Sequence, residues 1–136
     1  MKKVYIINDK GKRMTQEEVM KKTTYALVRL GFQASQIGYR FLREAVWAVY
    51  QDAELLTSVT KLLYPTVAKR FKMTDKQVER GIRSAIETAW VKGTPYVLPE
   101  LFQEYVQNGG HRPTNTEVIE ALVEYVKKEN TGYENI

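Results

Sequence analysis

Apolar residues recur at three- and four-residue spacing along most of the chain, and the recurring blocks open on polar capping residues and close on glycine or proline. That rhythm marks helices with one apolar stripe, so the sequence predicts an all-α domain. Thr15-Gln16-Glu17-Glu18 has the capping-box pattern, in which Glu18 reaches back to the amide of the cap residue, and Gly31 supplies the stop. A second helix is expected from about Ser35 to Tyr50, with Ile37, Phe41, Ala45, Trp47, Ala48 and Val49 as its stripe. Asp52 is placed to cap a third, running to about Leu63. Pro65 suits a first helical turn, which predicts a short helix from Thr66 to Phe71, and Lys72 with Met73 reads as a tight turn. Thr74 followed by Gln77 repeats the capping box and opens a long helix ending near Lys92-Gly93. Beyond Thr94-Pro95, Pro99 to Val106 predicts a weaker helix and Asn108-Gly109-Gly110 a loop. Thr114 and Glu117 cap the last helix, to about Glu129. Only the start of the chain, around Val4 to Ile7, has a β-like pattern. The expected organisation is an extension over 1–14, a helical domain over 15–130 and a flexible tail over 131–136.

Within Tyr64 to Arg83, the apolar and small positions Val67, Ala68, Phe71, Met73, Val78 and Ile82 suit two helices crossing through a turn of three or four residues, the spacing of a helix-turn-helix. Ala68 offers a point of close approach, and Val78 and Ile82 plug the angle. Gly81 departs from the pattern, since glycine inside a helix costs roughly 1 kcal/mol against alanine, and close packing against another helix would offset it. On a wheel of about 100° per residue, Val78, Ile82, Ala85, Ile86 and Ala89 share one side. Lys76, Arg80, Arg83 and Glu87 lie opposite, with Gln77 and Ser84 beside them and Glu79 at the flank.

Those exposed types are the ones that read base edges: arginine pairs with guanine, glutamine with adenine, and glutamate accepts from the cytosine amino group. Lys69 and Arg70, on the preceding short helix, are placed for phosphates. Periodicity alone fits a solvated charged face equally well.

Composition narrows the classes. At 136 residues the chain has room for one core, and a net charge of +5 permits an anionic partner without demanding one. With no cysteine there is neither a disulfide framework nor a thiolate metal site, which suggests a reducing, cytoplasmic compartment. The apolar run at the N-terminus is too short for a signal peptide, and no segment approaches the roughly 20 apolar residues of a membrane span. His111 is the one histidine and reads as a loop residue. Glu17, Glu18, Glu100 and Glu104 sit at helix starts, where the dipole favours them, so no acid/base pair, metal set or cofactor loop stands out, and an enzyme is not expected.

The segment "GYRFLREAVWAVYQDAELLTSVTKLLYPTVAKRFKMTDKQVERGIRSAIETAWVKG" resembles the C-terminal effector domain of stage-zero sporulation protein A, a response regulator of sporulation. The likeness is carried by "LREA", "ELL-S-TK-LYP--AK-F", "VER-IR-AIE-AW" and "RPTN-E-I", and spans roughly Thr23 to Lys128. The resemblance implies a six-helix, all-α domain that binds double-stranded DNA at short GC-containing boxes, often as head-to-tail pairs, through the helix opening at Thr74. By position, Glu79 and Arg80 correspond to base-contacting residues and Arg83 to a basic residue near the backbone. Gln77 stands where the family usually has arginine, which by base-edge logic changes preference at one base pair. The expected DNA-binding set is Lys69, Arg70, Thr74, Lys76, Gln77, Glu79, Arg80 and Arg83.

About 20 residues precede the matching region, so a receiver domain, and with it control by aspartyl phosphorylation, is not expected. The stretch "TPYVLPELFQEYVQNGGH" shares only Leu101-Phe102 with a region that the resemblance associates with RNA polymerase contact. The N-terminal "KKVYIINDKGKR" reads as a structural or dimer-forming strand, predicting a homodimer, or as a basic arm in a minor groove. The functional expectation is a sequence-specific transcription regulator. The alternative is a protein-interaction module that pairs with a full-length regulator and modulates it.

Overall fold

The structure is a computed structural model and describes residues 11–92 and 112–128, with Val91 and Lys92 described by their backbone alone. It is all-helical over these residues. Five α-helices are seen: α1 (Gln16–Arg29), α2 (Ile37–Gln51), α3 (Tyr64–Phe71), α4 (Asp75–Lys92) and α5 (Asn115–Lys127). The helix expected at Pro99 to Val106, which would be the sixth, lies outside the described residues, as do residues 1–10 with the β-like stretch, the C-terminal tail and His111. There is no strand among the described residues.

The capping chemistry sets the boundaries. Thr15 and Glu18 form a complete capping box at α1, and Thr114 and Glu117 form another at α5. In the first of these, the Thr15 amide holds the Glu18 carboxyl below its ordinary pKa. Gly31, at φ 87°, takes the left-handed position after α1 that glycine adopts without a Cβ penalty.

The expected third helix, Asp52 to Leu63, and the expected start at Thr66 are both corrected. Residues Ala53–Thr57 form a 3-10 turn capped by Asp52, the chain breaks at Ser58, and Val59–Leu63 winds as a π turn that runs without interruption into α3. Proline explains the arrangement. Pro65 has no amide hydrogen to donate backwards into the helix, and a widened turn just before it absorbs the missing bond and the bulk of the ring.

α2 is the central helix. It is covered along nearly its whole length, with Phe41, Leu42, Ala45, Val46 and Val49 fully buried, and packs most extensively on α4. Where the two cross, Gly38 faces Gly81 so closely that a Cβ on Gly38 would overlap the Gly81 carbonyl oxygen. A Cβ on Gly81 would lie 2.7 Å from Cε2 of Phe41, so close packing does accompany the helix-interior glycine. Gln36 fastens the same crossing by donating from Nε2 to Thr88 Oγ1 at 3.1 Å.

α1 and α5 close the other side. Lys22 of α1, only 5% exposed, donates its ammonium to the carbonyls of Val126 (3.4 Å) and Lys128 (3.0 Å). It thereby satisfies the acceptors that a helix leaves open at its C-terminus and places positive charge at the negative end of the dipole. Tyr50 accepts from the Met14 amide, pinning the segment before α1 to the end of α2. Trp47 is buried and stacked on Tyr50, and Trp90 packs half-buried against the core.

Candidate nucleic-acid interface

α3, the turn and α4 form one unit held by backbone bonds. Lys72 ends α3 in the left-handed conformation (φ 54°, ψ 46°), and is the one non-glycine residue with positive φ among those described. Its amide donates to Lys69 O, and the Met73 amide reaches Ala68 O at 3.0 Å, the paired closure that satisfies the last carbonyls of a helix. Ala68 is buried, and its carbonyl is the acceptor that closes the turn. Met73, read from the sequence as part of the tight turn, lies between the two helices and is 36% exposed.

α4 opens at once. Thr74 Oγ1 accepts from the Gln77 amide at 3.1 Å, and Gln77 Oε1 accepts from the Thr74 amide at 2.9 Å. Gln77 thus has its carbonyl oxygen committed to the helix start. The burial pattern follows the wheel: Val78, Ile82 and Ala85 are fully buried and Ile86 and Ala89 nearly so. Lys76, Gln77, Arg80, Arg83, Ser84 and Glu87 are exposed, and Glu79 is half-buried.

The structure divides the cations into two kinds. Lys69, Lys72, Lys76 and Arg80 are exposed and make no ion pair among the described residues. Arg70 and Arg83 are engaged. Arg70 pairs with Glu44 of α2 at 2.6 Å, and Arg83 pairs with Glu79 one turn before it. The pairing of Arg70 with a largely covered carboxylate ties α3 to α2, a contact the sequence did not reveal.

One flank of α4 meets the start of α5. Asn115 Nδ2 donates to Tyr64 Oη at 3.1 Å and to Glu79 O at 3.0 Å, linking α5 to both helices of the unit. Burial pushes the Tyr64 phenol above its ordinary pKa, opposed by the Asn115 hydrogen bond and the nearby Arg83 charge. A groove of about 570 Å³ runs along this flank, with Tyr64, Lys76, Glu79, Arg83, Arg112 and Asn115 on its walls. Arg112 pairs with Glu87 at 3.4 Å across the exposed side of α4. Asn115 is the residue of this neighbourhood that periodicity misses, because nothing in its local sequence distinguishes it from any polar residue at a helix start.

A helix, a left-handed turn and a capped helix with a basic exposed ridge thus occupy the middle of a chain whose family can be tested directly. The family model described as sporulation initiation factor Spo0A C terminal matches residues 23–126. The chain belongs to the Spo0A C-terminal family. The matched stretch begins within α1 and ends in α5, taking in α2, α3 and α4 entire. The Spo0A C-terminal domain is the DNA-binding effector part of a sporulation transcription regulator, and this is a DNA-binding family rather than an enzyme family. No described helix is long and apolar enough to cross a membrane.

Proposed function

We propose that the chain is a sequence-specific, double-stranded DNA-binding transcription regulator in which α3, the turn and α4 act as a helix-turn-helix. The observation that carries this reading is the ridge of unpaired cations, Lys69, Lys72, Lys76 and Arg80, along the exposed side of a unit whose opposite side is fully buried. Charges left without protein partners at one continuous edge suit a polyanion, and the start of α4 has the dimensions to enter a major groove.

In this reading Arg80, the last cation of the ridge along α4, donates to guanine O6 and N7. Glu79 accepts from a cytosine amino group, and its partner Arg83 offsets the negative charge that would otherwise face phosphate. Gln77 influences one base pair through Nε2, since Oε1 serves the cap. Lys69, Lys76 and Thr74 hold phosphates, and Arg70 contributes there while braced by Glu44. The functional unit is the helical domain over 15–130. Self-association through the N-terminal extension and RNA polymerase contact after α4 belong to the same reading; residues 1–10 of the extension and the segment after α4 lie outside the described residues.

The test is selection of duplexes from a random pool, followed by binding across salt. Arg80→Ala is expected to cost about 1–3 kcal/mol on the selected site and to relax preference at one position, whereas Lys69→Ala weakens all sequences alike. Equal losses for both variants on every duplex would remove the base-reading assignment. Weak binding with no enriched motif would favour the protein-interaction module instead.

A further inference from the structure

We propose that Arg40, on α2 and outside the α3–turn–α4 unit, is a further contact to the DNA phosphate backbone, held in place by the ring of Phe71. This contact rests on the DNA-reading assignment above. Arg40 is exposed, and its guanidinium carbon lies 5.3 Å from the centroid of the Phe71 ring. That ring is itself fixed: it meets Phe41 edge-on, with centroids 5.0 Å apart and planes at 85°, and Phe41 is fully buried. The platform under Arg40 is therefore a half-buried ring packed against the core.

The natural partner of Arg40 on its own helix is Glu44, one turn along, because oppositely charged residues at that spacing attract. Glu44 is instead taken by Arg70 from α3 at 2.6 Å. Arg40 keeps its charge uncompensated while its position is defined, and a guanidinium lying over an aromatic face leaves its N–H edge free to donate to two phosphate oxygens. The site is continuous with the ridge. Phe71 is followed directly by Lys72, whose left-handed backbone ends α3, and Lys69 lies on the turn before it. Arg40, Lys69 and Lys72 thus gather three cations from two helices and a turn at the end of α3, beside the start of α4. A basic cluster of this kind beside a groove-entering helix suits the phosphates flanking the bases being read.

A purely structural role would have Arg40 cover Phe71 and complement the negative end of α3. The two roles separate in one experiment. Binding of the full chain to its selected duplex and to a scrambled duplex is measured by fluorescence anisotropy across salt concentration, for the parent, Arg40→Ala, Phe71→Leu and Lys69→Ala, with thermal unfolding of each. Loss of one phosphate contact is expected to weaken Arg40→Ala by roughly 3- to 10-fold on both duplexes and to reduce the salt slope by about one. Phe71→Leu, which keeps the cation but removes its platform, should fall between Arg40→Ala and the parent. Unchanged affinity and slope for Arg40→Ala, with Lys69→Ala impaired, would overturn the contact and leave the helix-turn-helix reading standing. Failure of the parent to bind either duplex would overturn that reading and the contact together.

Discussion

Gly38 and Gly81 face each other where α2 crosses α4, yet they differ in what a methyl group would meet. At Gly38 it would run into a backbone carbonyl, which cannot rotate away, so the helices must separate. Gly38→Ala is therefore expected to cost about 3 kcal/mol or more in urea denaturation. At Gly81 the obstacle is the Phe41 ring, and alanine brings back roughly 1 kcal/mol of helix propensity, so Gly81→Ala should cost about 1–2 kcal/mol. The reverse order would contradict the crossing geometry. Gly81 stands out in the sequence as a glycine inside a helix, whereas Gly38 sits near a helix start, where glycine is unremarkable. Only the three-dimensional crossing shows that the two form a pair. Tyr64 makes a different prediction at this scale. Its pKa is raised by burial, so above about pH 10 the unfolded chain gives up its proton first, and stability falls as pH climbs through the raised folded value. Tyr64→Phe should lose about 0.5–1.5 kcal/mol near neutral pH with the Asn115 hydrogen bond, and then decline less steeply than the parent on the alkaline side. Denaturation midpoints at neutral and alkaline pH check both parts, and comparison with the parent cancels the other tyrosines.

Among the elements, those whose ends are written in side-chain chemistry were readable in advance. Thr15 with Glu18, Thr74 with Gln77 and Thr114 with Glu117 each close on themselves locally, so four residues of sequence suffice to locate them. The segment from Asp52 to Leu63 was not readable as it folds, because its apolar spacing is helical while Ser58 is extended and interrupts it, and the turn at Val59–Leu63 answers to Pro65 downstream. Charge partners were likewise hidden: Arg70 looks like a free cation until α2 brings Glu44 beside it, and Arg40 looks paired until Glu44 is removed. Lys22 is the extreme case, a lysine on the buried side of α1 whose acceptors lie at the far end of α5. Lys22→Met keeps the length of the side chain but removes its donors, and is expected to cost about 1.5–3 kcal/mol in chemical denaturation, the range for hydrogen bonds to a charged group. A methionine variant as stable as the parent would show that solvent satisfies those carbonyls equally well.

On the scale of the whole molecule, the formal charge of +5 matters less than its distribution. Lys69, Lys72, Lys76 and Arg80, exposed and without an ion pair among the described residues, belong to α3, the turn and α4, whereas the Lys22 bonds that fasten α1 to the end of α5 lie outside that unit. The link between Lys22 and Lys128 spans 106 positions of sequence. On the ribosome α1 emerges first, and its lysine has nothing to bind until the last turn of α5 has left the exit tunnel. The α3–turn–α4 unit, whose capping and turn contacts are all local, can take shape earlier, but the body that holds it is sealed only after α5 has followed.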